Sequence, residues 1–378
     1  MNGSDSAGAG PGQGSAGSRW LAAAQRALPG ISIALLVLVV GAIFLGSGAT
    51  LGYDLNAYTH AAHRLLAGEP LYDRTVAVAG GFAIYLYPPP FVLLVVPFLP
   101  LISAFGPWPW IVFLLACFAG GVALLPVRRD VRWLIVLLGG LSWPLAYSLK
   151  LGQVGPILFL LFAAGWRWRD RPGPLGISMA LGTIVKVQPV LLFGWAFLTR
   201  RWWAIVVGLA VLAGSAFAVT AVAGVGMWTE YAALLGRVSS SVSTPHNFAP
   251  GAIAYQLGVP ESAAHTIQWI STLAALGIAA WAALRRDAEV GYLTMVTASQ
   301  LVSPLLWDHY AMLLLLPTAW LLERRRWWAV AIPVSTWVVL VGLPPLVYPV
   351  AFWVGLLAPV AVGWRRPAVL LRGPSSPR

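Results

Sequence analysis

Charge is scarce in this sequence. Asp, Glu, Lys and Arg make up 10% of the 378 residues, against roughly 25% in an average soluble domain. Lysine is rarer still: of 24 basic residues 22 are Arg, which leaves only Lys150 and Lys186. With 59% of residues hydrophobic and a mean hydropathy of +0.79, a soluble fold would expose apolar patches larger than water tolerates. That excludes a cytosolic globular enzyme. Cysteine is nearly absent, and Cys117 has no partner within the chain, so a secreted disulfide scaffold is excluded too. Two phosphate-handling signatures are missing. There is no Asp-x-Asp to clamp a nucleotide diphosphate through a divalent ion, and no Gly-x-x-x-x-Gly-Lys loop. No internal repeat is visible, which weighs against a transporter built from inverted halves.

What is present is helix-length apolar sequence. A span needs about 20 apolar residues, and candidates lie at 31–49, 89–105, 108–126, 132–148, 154–168, 174–198, 202–224, 264–284, 290–306, 309–322, 327–343 and 345–362. The expectation is an all-α polytopic membrane protein with ten to twelve spans. Residues 1–30 read as a disordered cytoplasmic N-terminus, 31–363 as the transmembrane domain with an uncleaved first anchor, and 364–378 as a cytoplasmic tail. Two polar stretches, 50–88 and 225–263, read as outer loops. The basic residues sit mostly in short clusters between apolar runs, the pattern of positive-inside anchors and anionic-lipid contacts rather than of nucleic-acid binding. With the N-terminus inside and simple alternation, clusters 200–201, 285–286, 324–326 and 365–366 fall inside, but Arg128-Arg129-Arg132 and Arg167-Arg169-Arg171 fall outside. Either these are exceptions or a segment between 89 and 198 re-enters; the break at Lys186-Val187-Gln188-Pro189 is one candidate. The Ala-, Gly-, Arg- and Trp-rich usage suggests a bacterial source, and hence the inner membrane.

All five histidines, and half of the acids, fall in or beside the expected outer segments. The first loop opens Gly52-Tyr53-Asp54-Leu55-Asn56-Ala57-Tyr58 and continues as an amphipathic helix that Gly68 and Pro70 end. Asp54, directly after the first span, reads equally as a helix N-cap and as a catalytic carboxylate.

The run Asp54…Tyr58…Gly68-Glu69-Pro70-Leu71-Tyr72, then Tyr87-Pro88-Pro89-Pro90, resembles the opening of glycosyltransferase family 87. Leu151-Gly152-Gln153, Gly176…Gly182…Lys186-Val187-Gln188-Pro189 and Ser303-Pro304-Leu305-Leu306-Trp307-Asp308-His309-Tyr310 fit the same family, over about residues 50–325. The resemblance implies a GT-C fold and a polyprenyl-phosphate sugar donor meeting a glycolipid or glycan acceptor at the outer face. It also implies a catalytic Asp at the start of the first outer loop, here Asp54. No cofactor and no metal is implied.

Such chemistry needs a base for the acceptor hydroxyl and cations for the departing phosphate. Asp54 suits the first role. Lys186, inside an apolar run, suits the second or is a snorkelling anchor. His309 donates to phosphate or pairs with Asp308, and Arg64 reaches the donor phosphate or only lipid head groups. Tyr58 and Tyr87 line the sugar site or serve as interfacial anchors. Gln153, Asn247 and Asp308 are further candidate lining residues. His60 and His63 with Asp54 match no recognised metal pattern. The rival readings are a flippase of lipid-linked saccharides, which needs polar residues right through the bilayer, and a non-catalytic scaffold, which tolerates Asp54→Asn.

Overall fold

The computed structural model describes residues 16–72, 84–238, 242–244, 246–336 and 346–363. Among them every regular element is helical, so the expected fold class, an all-α polytopic membrane protein of GT-C type, stands. In chain order the helices are α1 (Ala16–Ser47), α2 (Leu55–Leu66), α3 (Pro89–Phe105), α4 (Trp108–Leu124), α5 (Arg129–Gly140), α6 (Trp143–Leu151), α7 (Gly155–Arg167) and α8 (Pro172–Val185). They continue with α9 (Leu191–Leu198), α10 (Trp202–Ala223), α11 (Gly226–Val238), α12 (Pro250–Gln256), α13 (Glu261–Arg285), α14 (Ala288–Leu301), α15 (Leu315–Glu323) and α16 (Val347–Val362). Helices Gln25–Thr50, Trp202–Ala223 and Glu261–Arg285 are each long and apolar enough to cross a bilayer, and α5 with α6 passes as a fourth span bent by 64°. The other apolar helices are shorter.

Helix α1 corrects one expectation. It begins at Ala16, so residues 16–30 are helical rather than disordered, because the Ala-rich stretch before Pro29 has high helix propensity. The first fifteen residues and the tail 364–378 lie outside the described residues, as does Asp73.

Ion pairs settle which segments share an end. Arg201, just after α9, sits 2.9 Å from Asp170, just before α8. Arg324, just after α15, sits 3.1 Å from Glu289, at the start of α14. Arg169 joins Glu289 at 3.3 Å, and Arg128 joins Glu323 at 3.3 Å. Exposed pairs of this kind add little stability, but they report position. Helices α8 and α9 therefore form a hairpin, and so do α14 and α15; each enters from one arginine-rich end and returns to it. The last segment repeats the pattern: Tyr348 donates to the Thr336 carbonyl at 2.9 Å, while Gly363 abuts Val290 and Trp320 near the arginine end.

This corrects the simple alternation. Segment 174–198 is not one span but two arms, and 290–306 with 309–322 is a second pair. Helix α3, which tightens to a 3-10 turn at Val96–Phe98, stays at the opposite end, where Phe98 packs on Trp110 and Pro107 packs on Gly52. With these returns, Arg128 and Arg169 join Arg201 and Arg324 at one end, so the apparent violations of charge asymmetry disappear. The break in α8–α9 has a local cause. Pro189 has no N–H for the Val185 carbonyl, α8 ends with the Lys186 N–H on Gly182, and Lys186 itself is extended (φ −155°). Such irregular backbone persists at membrane depth only inside protein or against a cavity. The hairpin packs through α8 on α10, where Gly176 and Gly208 let the backbones touch; a methyl on Gly176 would strike the Ala204 carbonyl.

Candidate active site

The hairpin tips meet at the end of the bundle opposite the arginines. Gln188 Nε2, in the α8–α9 tip, donates to Ser303 Oγ in the α14–α15 tip at 2.9 Å. Between these tips, α2 and α6 lies a cavity of about 590 Å³, within the range of small-ligand sites. Both lysines of the chain line it, as do Asp54, Tyr58, Tyr87, Gln153, Asp308 and His309.

Asp54 is held on three sides. Its backbone N–H bonds the Leu151 carbonyl at 2.9 Å, beside Gly52 N–H on Lys150 O at 2.7 Å, which docks the loop after α1 onto the end of α6. Asp54 occupies the N-cap position of α2, yet its side chain makes no capping bond; it accepts from Gln153 Nε2 instead. Asp54 thus holds the N-cap position without a side-chain capping bond, and it lines the cavity. Gln153 follows Gly152, whose positive φ of 76° closes α6 so that Gln153 N–H reaches Ser148 O at 2.8 Å. A side chain at Gly152 would also press on Leu55 and Trp110. That explains the Leu-Gly-Gln motif: the turn needs glycine, and the turn aims the glutamine. The amide is oriented by two tyrosines. Tyr87 donates to Gln153 Oε1 at 2.9 Å, and the Tyr58 hydroxyl lies 2.6 Å from that of Tyr87 and 3.3 Å from the same oxygen. With the carbonyl so engaged, the NH₂ faces the carboxylate. Burial raises the Asp54 carboxyl above its usual range; the Gln153 bond, and then the charges of His309 and Lys186, pull the other way. Burial also raises both phenols, so they remain hydrogen-bond donors at neutral pH.

Lys186 Nζ sits over the Tyr310 ring at 3.9 Å and the Tyr87 ring at 5.4 Å, so its ammonium is cradled by π faces. Asp308 is fixed by Trp143 Nε1 at 3.0 Å and by the His309 backbone N–H at 2.8 Å. Asp308 Oδ1 lies 3.6 Å from His309 Nδ1. Both ring nitrogens of buried His309 lack a hydrogen-bond partner among the described residues, and the residue lines the cavity. The arrangement is two carboxylates, Asp54 and Asp308, two lysines and the buried His309 around one cavity.

The model of glycosyltransferase family 87 matches residues 85–307, more than half of the 378. The chain belongs to glycosyltransferase family 87. No curated protein and no solved structure matches it. As a family 87 member the chain is a membrane glycosyltransferase, acting on a sugar donor and an acceptor. The match is narrower than the stretch over which the motifs were read: Asp54 and the Asp308-His309 pair lie outside it, and the Asp54–Gln153 bond ties the first of these to the matched region.

Of the candidate residues in this family 87 chain, two leave the site. Arg64 does not line the cavity and pairs with Glu69 at 3.9 Å. Six helical residues separate it from Tyr58, about 240° of rotation, so the face of α2 that carries Tyr58 inward carries Arg64 elsewhere. Asn247 is fully buried outside the lining. Its side chain accepts from the N–H groups of Ala249 and Leu306, both at 3.0 Å, and donates to Pro304 O at 2.7 Å. It clamps the α14–α15 tip rather than a substrate. Asn247→Ala strands two buried backbone N–H groups and the half-buried Pro304 carbonyl and is expected to lower stability by about 3 kcal/mol, measurable as a fall in thermal midpoint in detergent. Lys150, Tyr147 and Tyr310 also line the cavity; rarity and a place just before Leu-Gly-Gln mark Lys150 in the sequence, and Tyr310 closes the Ser-Pro motif, whereas nothing local marks Tyr147.

Proposed function

We propose that the protein transfers a hexose, mannose first among them, from a polyprenyl-phosphate sugar to a glycolipid or glycan acceptor, with inversion at the anomeric carbon. The observation that carries this reading is the half-buried Asp54 carboxylate, bonded by Gln153 and lining the same cavity as Lys186 and His309. The acceptor oxygen bonds to the anomeric carbon as the bond from that carbon to the phosphate oxygen breaks. Asp54 takes the acceptor proton as general base. The electron pair leaves on polyprenyl phosphate, whose growing charge meets Lys186, with His309 as hydrogen-bond donor when protonated. One C–O bond forms as another breaks, the acceptor proton passes to Asp54, and no atom changes oxidation state.

The arginine-rich end faces the cytoplasm by the charge asymmetry of membrane proteins, so the site opens to the outer face, periplasmic in a bacterial inner membrane. Loops 50–88 and 225–263 then lie on that side. The test is transfer of radiolabelled hexose from polyprenyl-phosphate mannose, and then from other lipid-linked hexoses, to a panel of glycolipid acceptors by purified protein in detergent. Failure with every donor would overturn the reading.

Acidity separates the base from its support. Activity requires ionised Asp54, so it is lost as pH falls through the Asp54 pKa, which burial sets above the usual carboxylate range. The Gln153 bond lowers that pKa, so in Gln153→Leu the acid limb of kcat/KM moves to higher pH, and the rate above the limb falls by about 10- to 100-fold. An unmoved limb in a folded variant would detach Gln153 from Asp54.

A further inference from the structure

A second carboxylate lines the cavity in which, under the proposed function, negative charge builds on a phosphate. Asp308 is buried; Trp143 Nε1 donates to its Oδ2 at 3.0 Å, and the His309 backbone N–H donates to its Oδ1 at 2.8 Å. Trp143 is itself fixed by stacking on Tyr147, with ring centroids 4.9 Å apart. Both donors are neutral, and burying a carboxylate on neutral donors alone is costly. Among the described residues the one basic group within ion-pair reach is His309, whose Nδ1 lies 3.6 Å from Oδ1. His309 has the complementary shortage. Its ring is buried, and neither nitrogen has a hydrogen-bond partner among the described residues. At that separation the two groups are too far apart for a hydrogen bond, and a shift of less than about 1 Å closes it. Tyr310 packs edge-on against the imidazole at 4.7 Å, which confines the ring.

We propose that Asp308 is a positioning residue: it accepts Nδ1–H of His309 and so leaves Nε2, on the other edge of the ring, to meet the departing phosphate. This deepens the proposed function and rests on it. A hydrogen bond at one imidazole nitrogen fixes where the neutral ring keeps its proton. With Nδ1–H held by Asp308, neutral His309 presents a bare Nε2 that repels a phosphate oxygen. Only the protonated ring carries an N–H on Nε2 as well, so His309 serves the phosphate as a cation or not at all. It donates a hydrogen bond and keeps the proton. The surroundings set that charge. Burial works against it, Asp308 works for it, Lys186 from the α8–α9 tip opposes it, and Asp54 from the loop after α1 supports it. Tyr147 of α6 lies on a further side at 6.5 Å, with the Lys150 ammonium 6.0 Å from that phenol ring. The Asp308 charge is thus matched by the imidazolium rather than set against the phosphate.

Two measurements on the purified full chain test this. Isotope-labelled histidine reports the ring nitrogens by NMR without turnover, the His309 signals being those lost in His309→Gln. In wild type the neutral ring is expected to carry its proton on Nδ1, and in Asp308→Asn the ring is expected to lose its charge about one pH unit lower. Activity that needs the imidazolium is lost as pH rises through the ring's pKa, and removing the charge that favours the imidazolium moves that loss downward. With polyprenyl-phosphate mannose as donor, the basic limb of kcat/KM in Asp308→Asn therefore moves to lower pH. At neutral pH kcat falls about tenfold while donor KM stays within about twofold of wild type. A residue that only caps the 3-10 stretch Asp308–Leu314 would instead give an early melt with the limb unmoved. That result, an unmoved His309 titration in folded Asp308→Asn, or a neutral wild-type ring protonated at Nε2 would overturn the proposal. The wild-type tautomer decides it even where the variant does not fold. If wild type transfers from no donor, the proposed function fails and the phosphate role with it, and the tautomer still decides whether Asp308 holds the ring.

Discussion

Asp54→Asn is expected to abolish transfer, lowering kcat by about 10³-fold, within the usual contribution of a positioned general base. The amide is nearly isosteric, and its oxygen still accepts from Gln153 Nε2, so the loop after α1 keeps its docking on α6 and the donor KM stays close to that of wild type. What is lost is only the capacity to take a proton. Steady-state kinetics with lipid-linked donor, beside a thermal melt, separates the two. Undiminished transfer by a folded Asp54→Asn would move the base elsewhere, with Asp308 the next carboxylate to replace. No turnover by wild type with any lipid-linked donor would instead favour the scaffold reading.

Lys186→Met is expected to lower kcat by about 100-fold, the scale for removing one preorganised stabiliser of developing charge. Methionine keeps the length and apolar stem, so the packing against Tyr310 and Tyr87 survives while the ammonium above those rings is gone. Because charge builds on the phosphate as the glycosidic bond breaks, the loss falls on kcat more than on donor KM. Lys186→Arg restores the charge but not the shape, since a planar fork does not fit the space of a compact ammonium between two rings, so rescue is partial. A raised KM with kcat unchanged would make Lys186 a ground-state anchor and would shift the leaving-group role toward His309 or Lys150.

The two predictions differ in how far the chain alone announced them. Asp54 was legible because it follows an apolar run directly and opens an amphipathic segment. Yet the choice between cap and base was not local: the N-cap geometry is present, and it is a glutamine 99 residues on that claims the carboxylate. Lys186 was legible as one of two lysines ahead of a proline in apolar sequence. That the lysine stands at a hairpin tip, and that the other lysine shares its cavity, depends on where α8 and α6 end in space.

The two candidates that the structure places outside the cavity lining have the same root. Arg64 is one of five charged residues in the expected outer loop 50–88, and nothing in its neighbours says which face of α2 turns inward. Asn247, in a polar loop, looks like a substrate contact until its partners Leu306 and Pro304 are known.

By itself the sequence determined the membrane class, most of the helical segments and the family, and marked Asp54 as a candidate, because hydropathy, proline placement and glycine-dependent turns act over a few residues. Only the tertiary structure decided which apolar segments cross and which return. A hairpin arm and a span have the same hydropathy, and the difference lies in pairings such as Asp170 with Arg201 and Glu289 with Arg324, made between residues more than thirty positions apart. Those returns bring Asp54, Gln153, Lys186 and His309 around one cavity, and association of that kind is set by packing across the bundle rather than by any local pattern.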